Sequence, residues 1–189
     1  MLKQKTGITC EQFEELCLRG ELRDTQCELI DGEIIFLAPG GYEHSGVSVN
    51  IAAYLHLFVK KHGIGRVFGN EAGIHTRLKP ARSRGMDVAY ISYQRLSRGK
   101  LPRGFIRVPP ELIVEVLGDD CDWADMKIKI AEYHEMGVDM VWVADSASKS
   151  VTQFPLGSES VEIAAHGTID GGKILPGFSL PIARFFETE

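Results

Sequence analysis

No stretch of the 189-residue chain approaches the roughly 18 consecutive apolar residues of a membrane-spanning helix, so no membrane partner is expected. Met1 to Glu15 carries no apolar h-region, so no signal peptide is expected either. The four cysteines, Cys10, Cys17, Cys27 and Cys121, form no CxxC pair and no zinc spacing. They read as reduced thiols of a cytoplasmic protein. None sits in a recognisable nucleophile context, and there is no Gly-x-Ser-x-Gly elbow, which argues against a metal-independent hydrolase. Gly63-Ile64-Gly65 lacks the preceding strand and the spacing of a dinucleotide fingerprint. No internal repeat, low-complexity tract or linker is visible, and the length suits one domain.

One segment is short of acids. Between Arg77 and Arg107 stand nine basic residues, with Asp87 the sole acid. That segment carries +8, leaving −13 for the rest of a chain whose net charge is −5. The overall charge argues against non-specific nucleic-acid binding by the whole surface. The asymmetry fits either a local contact with a polyanion or a solvated loop in a protein acidic elsewhere. As phosphate contacts, the candidates are Arg82, Arg84, Arg95, Arg98, Lys100 and Arg103.

Elements can be read in order. Thr9 and Gln12 form a capping box for a helix running to about Arg19. Cys27 to Leu37 reads as a hairpin turning at Asp31-Gly32. Val47, Ile51, Leu55 and Phe58 line one face of a helix from about His44 to His62, with Gly63 as its C′ residue. Arg66–Phe68 and Ile74–Leu78 are expected strands. Arg84–Ile91 is another, with Asp87 near its start, followed by a basic loop from Ser92 to Val108. Asp122 opens a helix that ends at Gly137, and Met140–Ala144 is a buried strand. In the tail, Ser150–Pro155 and Val161–Ala165 can pair, Thr168–Gly172 is a turn, and Leu180–Phe186 is a short closing helix. The order implies an α/β or α+β domain with a mixed central sheet flanked by helices, an N-terminal β-hairpin and a β-rich C-terminal tail.

Chemistry concentrates around Leu112-Ile113-Val114-Glu115-Val116-Leu117, an apolar run of strand length that holds one carboxylate. Period two places Glu111, Ile113 and Glu115 on one face and Leu112, Val114 and Val116 on the other. Glu115 either faces water from an edge strand or is buried against a partner, because an unpaired buried carboxylate is costly. On the next helix, Lys129 falls on the arc of Met126, Ile130, Tyr133 and Met136, whereas Lys127 lies opposite. Lys129 either snorkels to water or meets a carboxylate. Two acids and a lysine suit metal-assisted attack on a phosphodiester: carboxylates bind Mg²⁺ or Mn²⁺, and a lysine orients water or stabilises the charge that develops.

Several motifs match one family in order. They are Cys27-Glu28-Leu29-Ile30-Asp31-Gly32-Glu33, Pro39-Gly40 followed by His44, Asp87-Val88-Ala89-Tyr90-Ile91, and Pro110 to Leu117. Lys129 with Glu132-Tyr133, Gly137-Val138, Val141 to Asp145, and Leu175-Pro176-Gly177-Phe178 follow. The chain resembles the Uma-type family of restriction endonucleases, of the PD-(D/E)XK superfamily with the restriction-endonuclease-like fold, over about residues 8–187. The resemblance implies Asp87 and Glu115 as metal-binding acids, with the Val116 carbonyl as a further ligand. It implies Lys129 as the catalytic lysine, moved onto the helix while Leu117 fills the usual lysine place. Glu28 and His44 match two supporting polar positions, although His44 also suits a helix N-terminus satisfied by backbone. Met86 replaces the usual Pro, Cys27 a usual Tyr, and Gly118-Asp119-Asp120 a Ser-Pro turn. The implied protein is a Mg²⁺-dependent DNA endonuclease acting as a homodimer. The alternative is a non-catalytic nucleic-acid-binding or protein-interaction module on the same fold.

Overall fold

The computed structural model describes residues 7–22, 25–118 and 123–187. Asp119, Asp120, Cys121 and the expected helix start at Asp122 lie outside the described residues.

Local chemistry sets most boundaries. Helix α1 spans Cys10–Leu18, and Thr9 with Gln12 makes both capping-box hydrogen bonds. Strands β1 (Gln26–Ile30) and β2 (Glu33–Leu37) pair antiparallel. Their two-residue turn has positive φ at both Asp31 and Gly32, as a primed hairpin turn requires. Helix α2 covers Tyr42–His62 and stops at left-handed Gly63. Helix α3 covers Trp123–Met136.

Among the described residues the main sheet has eight strands. The order is β2-β1-β4-β5-β6-β7-β8, with β3 also paired to β4. Here β3 is Gly65–Leu78, β4 Ala81–Ser92, β5 Leu112–Leu117, β6 Met140–Asp145, β7 Ser150–Pro155 and β8 Val161–Ile163. Among the described strands β5 and β6 alone run parallel, joined by α3, and the other strand pairs are antiparallel. A small second sheet pairs β9 (Thr168–Asp170) with β10 (Ser179–Pro181). Thr168–Asp170 is therefore a strand, and only the residues after it turn. The closing helix is a single 3-10 stretch, Ile182–Phe186, because Leu180 and Pro181 belong to β10.

Both faces of the sheet are covered. Val47, Ile51, Leu55 and Val59 of α2 pack with Val88, Leu112, Val114, Val116 and Trp142. Met126, Ile130 and Tyr133 of α3 pack on the other face with Met86, Ala89, Ile113, Val141 and Val143. Strand β5 is thus central and wholly buried, so Glu115 does not face water. A third cluster seats Phe13 of α1 against Leu29, Ile34 and Ala81. Among the described residues no helix is long and apolar enough to cross a membrane.

Two sequence expectations fail at β3 and β4. The two separate strands over 66–78 are one strand with irregularities between Gly69 and Ala72 and between His75 and Arg77. Asp87 sits in the middle of β4 rather than near its start, because the strand begins three residues earlier, at Ala81, and so takes in Arg82. Arg82 and Arg84, candidate phosphate contacts by sequence, have their charges met inside the fold.

Candidate active site

Asp87 lies where the sheet changes character. Strands β4 and β5 pair only over Val88–Tyr90 and Leu112–Val114. Beyond Val114 the two strands part, and the Val116 N–H donates to Asp87 Oδ2 at 2.7 Å instead of to a strand carbonyl. His44 Nε2, from the first turn of α2, lies 3.2 Å from the same oxygen. Hydrogen bonding to Asp87 raises the His44 pKa above its usual value, against the effect of burial. His44 is thus brought to the site and held by a carboxylate rather than by backbone alone. No hydrogen bond to Asp87 Oδ1 is present among the described residues.

Glu115 is 3% exposed and faces α3. Tyr133 O–H donates to its Oε1 at 2.7 Å, and Lys129 Nζ donates to its Oε2 at 3.2 Å. Burial pushes the Glu115 pKa up to about 7; Lys129 works against that shift and Asp87 adds to it. Lys129 does not snorkel. Its ammonium is also 3.3 Å from Glu28 Oε1 on β1, and Lys127 stands exposed. Burial alone would lower the Lys129 pKa, but Glu115 and Glu28 together raise it, so the ammonium stays charged.

The structure therefore brings Asp87, Glu115, Lys129, Glu28 and His44 together from five elements. It also adds a residue that the sequence reading missed. Gly69 pairs with Val88 and Ala72 with Met86, so Asn70 and Glu71 together face Asp87 across the ladder. This is a β-bulge, and both residues have φ near +60°, a region uncommon for non-glycine residues. The side-chain alternation of β4 slips at the same point: Met86 packs toward α3, and Val88, two residues on, packs toward α2. The bulge lays the Glu71 carboxylate over Gly85, where a Cβ would overlap it. Glu71 is exposed as a residue, but partial desolvation of its carboxylate against the site raises its pKa, and Asp87 raises it further. The available sequence signal was the polar Asn70-Glu71 pair set between Gly69 and Gly73 inside a strand-like segment. Glu71 and Arg84 also line a neighbouring cavity of about 240 Å³, together with Phe13, Cys17, Cys27 and Phe105.

The basic residues divide. Arg84 is buried, bound to Glu28 and Glu132. Arg82 holds Asp31 and Glu132. Arg95 donates to the carbonyls of Pro109, Pro110 and Gly137 and pairs with Asp139 at 2.6 Å. These three tie the fold together. Arg98, Lys100 and Arg103 are exposed on the loop after β4. Arg98 stacks 4.0 Å over Tyr93 and donates to the Gly63 carbonyl at 2.7 Å.

Among the described residues no three His, Cys, Asp or Glu side chains form a ready-made metal cage. Mg²⁺ is usually taken by one or two carboxylates with water and substrate phosphate rather than by a full protein cage. The donor set fits that mode. Asp87, Glu115 and Glu71 offer only oxygen, and desolvation together with the Asp87 charge raises the pKa of Glu115 and of Glu71, a penalty that a hard cation relieves.

A family model described as "Uma2: Putative restriction endonuclease" matches residues 10–183. Among solved structures, the crystal structure of a putative nuclease belonging to DUF820 from Anabaena variabilis has a TM-score of 0.77. It is 20% identical, and the alignment covers 95% of this chain and 97% of that one. That likeness concerns the fold. No curated protein matches the chain.

Proposed function

The chain belongs to the Uma2 family, and from that premise we propose that it is a metal-dependent endonuclease that hydrolyses DNA phosphodiester bonds. The observation that carries this reading is the meeting of Lys129 with Glu115 inside the fold, 3.2 Å apart, one strand away from Asp87. A half-buried lysine held charged beside a buried carboxylate of raised pKa suits a reaction that develops negative charge on phosphoryl oxygens.

Asp87, Glu115 and the Val116 carbonyl would hold Mg²⁺ or Mn²⁺, which when bound polarises the phosphoryl group and acidifies a coordinated water. The remaining work falls to side chains. The Lys129 ammonium orients the attacking water and stabilises the developing charge. Tyr133 O–H fixes one oxygen of Glu115, so that the carboxylate keeps one rotamer. His44 and the Val116 N–H do the same for Asp87. Arg98, Lys100 and Arg103 are the exposed cations left to contact phosphates. In a homodimer, each strand of a duplex would meet one such site.

The test is nicking of supercoiled plasmid with Mg²⁺ or Mn²⁺. Wild type should cleave, and Asp87→Asn and Glu115→Gln should lose cleavage by orders of magnitude while staying folded. Metal-independent cleavage, or equal cleavage by all three proteins, contradicts the reading. Absence of cleavage on DNA and RNA, with binding retained, favours the non-catalytic module.

A further inference from the structure

The sequence groups Arg84 with the phosphate-binding cations, but its guanidinium faces inward. We propose that Arg84 is a positioning residue for Lys129, acting through Glu28. This rests on the hydrolytic reading above.

Three elements close a ring of charges. From β4, Arg84 Nη1 donates to Glu28 Oε2 at 2.7 Å. Its Nε and Nη2 form a fork on Glu132 Oε2 and Oε1 at 2.9 and 2.8 Å. Glu132 lies three residues after Lys129 on α3, so both side chains leave the same side of that helix. Lys129 then returns to Glu28 Oε1 at 3.3 Å.

Of the two oxygens of Glu28, Oε2 is held by Arg84 and Oε1 by Lys129, with the Gly85 N–H a longer donor to Oε1 at 3.4 Å. With Arg84 holding the other oxygen of Glu28, the three-donor Lys129 ammonium reaches Glu115 as well. Without Arg84, both oxygens of Glu28 would turn to Lys129 and draw it from Glu115. Thr76 Oγ1, at 3.0 Å, and Arg82 hold Glu132 from behind, so the fork is anchored on both sides. A lysine at position 84 would supply the charge but not the planar fork.

The test uses the full chain with 13C-labelled lysine, in wild type, Arg84→Gln and Arg84→Lys. The Lys129 Cε resonance should move in Arg84→Gln and move less in Arg84→Lys. The Lys127 resonance should stay in place. In cleavage assays kcat should fall about 10- to 100-fold in Arg84→Gln, with partial recovery in Arg84→Lys and unchanged KM. The slope of DNA affinity against salt should match wild type. An unmoved Lys129 resonance in either folded variant overturns the proposal. So does a raised KM with a flattened salt slope, which would make Arg84 a phosphate contact. If wild type shows no cleavage, the nuclease reading fails, and the resonance shift alone decides the positioning role. Should Arg84→Gln not fold, the charge-retaining Arg84→Lys decides by the same readouts.

Discussion

Glu71 faces Asp87 across the β3–β4 ladder, on a bulge that places two residues opposite one. Both bulge residues, Asn70 and Glu71, hold left-handed backbone. Strain of that kind costs about 1–3 kcal/mol per residue and persists only where its surroundings enforce it. Here it delivers a carboxylate beside Asp87.

The strain and the charge can be separated. Asn70→Gly should stabilise the chain by up to about 1 kcal/mol, since glycine adopts positive φ without penalty. Glu71→Gln should stabilise it at pH 8 but not at pH 4, because only the charged form repels Asp87. Thermal melts at both pH values read this out. An equal effect of Glu71→Gln at the two would place its carboxylate away from Asp87.

Glu115 predicts the pH dependence. Burial lifts its pKa to about 7, so the folded chain binds this proton more tightly than the unfolded chain does. Its contribution to stability is fully present below the ordinary carboxylate pKa and is lost as pH rises toward 7. Relative to wild type, Glu115→Gln should therefore gain stability between pH 5 and 7.5, by a few kcal/mol at most. Denaturant melts across that range test it, and a constant difference would show that Glu115 keeps its unfolded pKa.

Cation binding should oppose that loss. At pH 7.5, Mg²⁺ or Mn²⁺ should raise the thermal midpoint by mass action, and Asp87→Asn should cancel the rise. A full rise in the variant removes Asp87 from the metal site.

The two lysines of α3 should behave differently. Lys129→Met leaves Glu28 and Glu115 buried with one cation fewer. Breaking a buried pair costs about 3–5 kcal/mol, and protonation of Glu115 should hold the loss near the lower end. Lys127 is exposed, so Lys127→Met should stay within about 0.5 kcal/mol of wild type. Equal unfolding midpoints for the two variants would contradict the buried contacts of Lys129.

The basic segment should divide as its contacts do. Arg98→Ala with Lys100→Ala should flatten the salt dependence of DNA binding and barely change stability. Arg95→Ala should leave the salt slope alone and cost stability, because three carbonyls and Asp139 lose their partner. A flattened slope in Arg95→Ala would return that residue to the DNA contact.

What the sequence determined by itself is local. Thr9 with Gln12, Asp31-Gly32 and Gly63 act through their own backbone and nearest neighbours, so these boundaries could be read directly. The alternation around Glu115 and the helical arc of Lys129 are also local periodicities, and they placed both side chains on the correct faces. Tertiary structure alone decided what those faces meet. That Glu115 is interior rather than on an edge depends on β4 and β6 flanking β5. That Arg84 is held by Glu28 and Glu132 depends on residues 56 and 48 positions away. Glu71 enters the site only because a bulge in β3 adds one residue opposite Asp87, and a bulge is a mismatch between two strands that neither strand records alone. A charged side chain shows its type in sequence, but its role is set by the partner that folding places beside it.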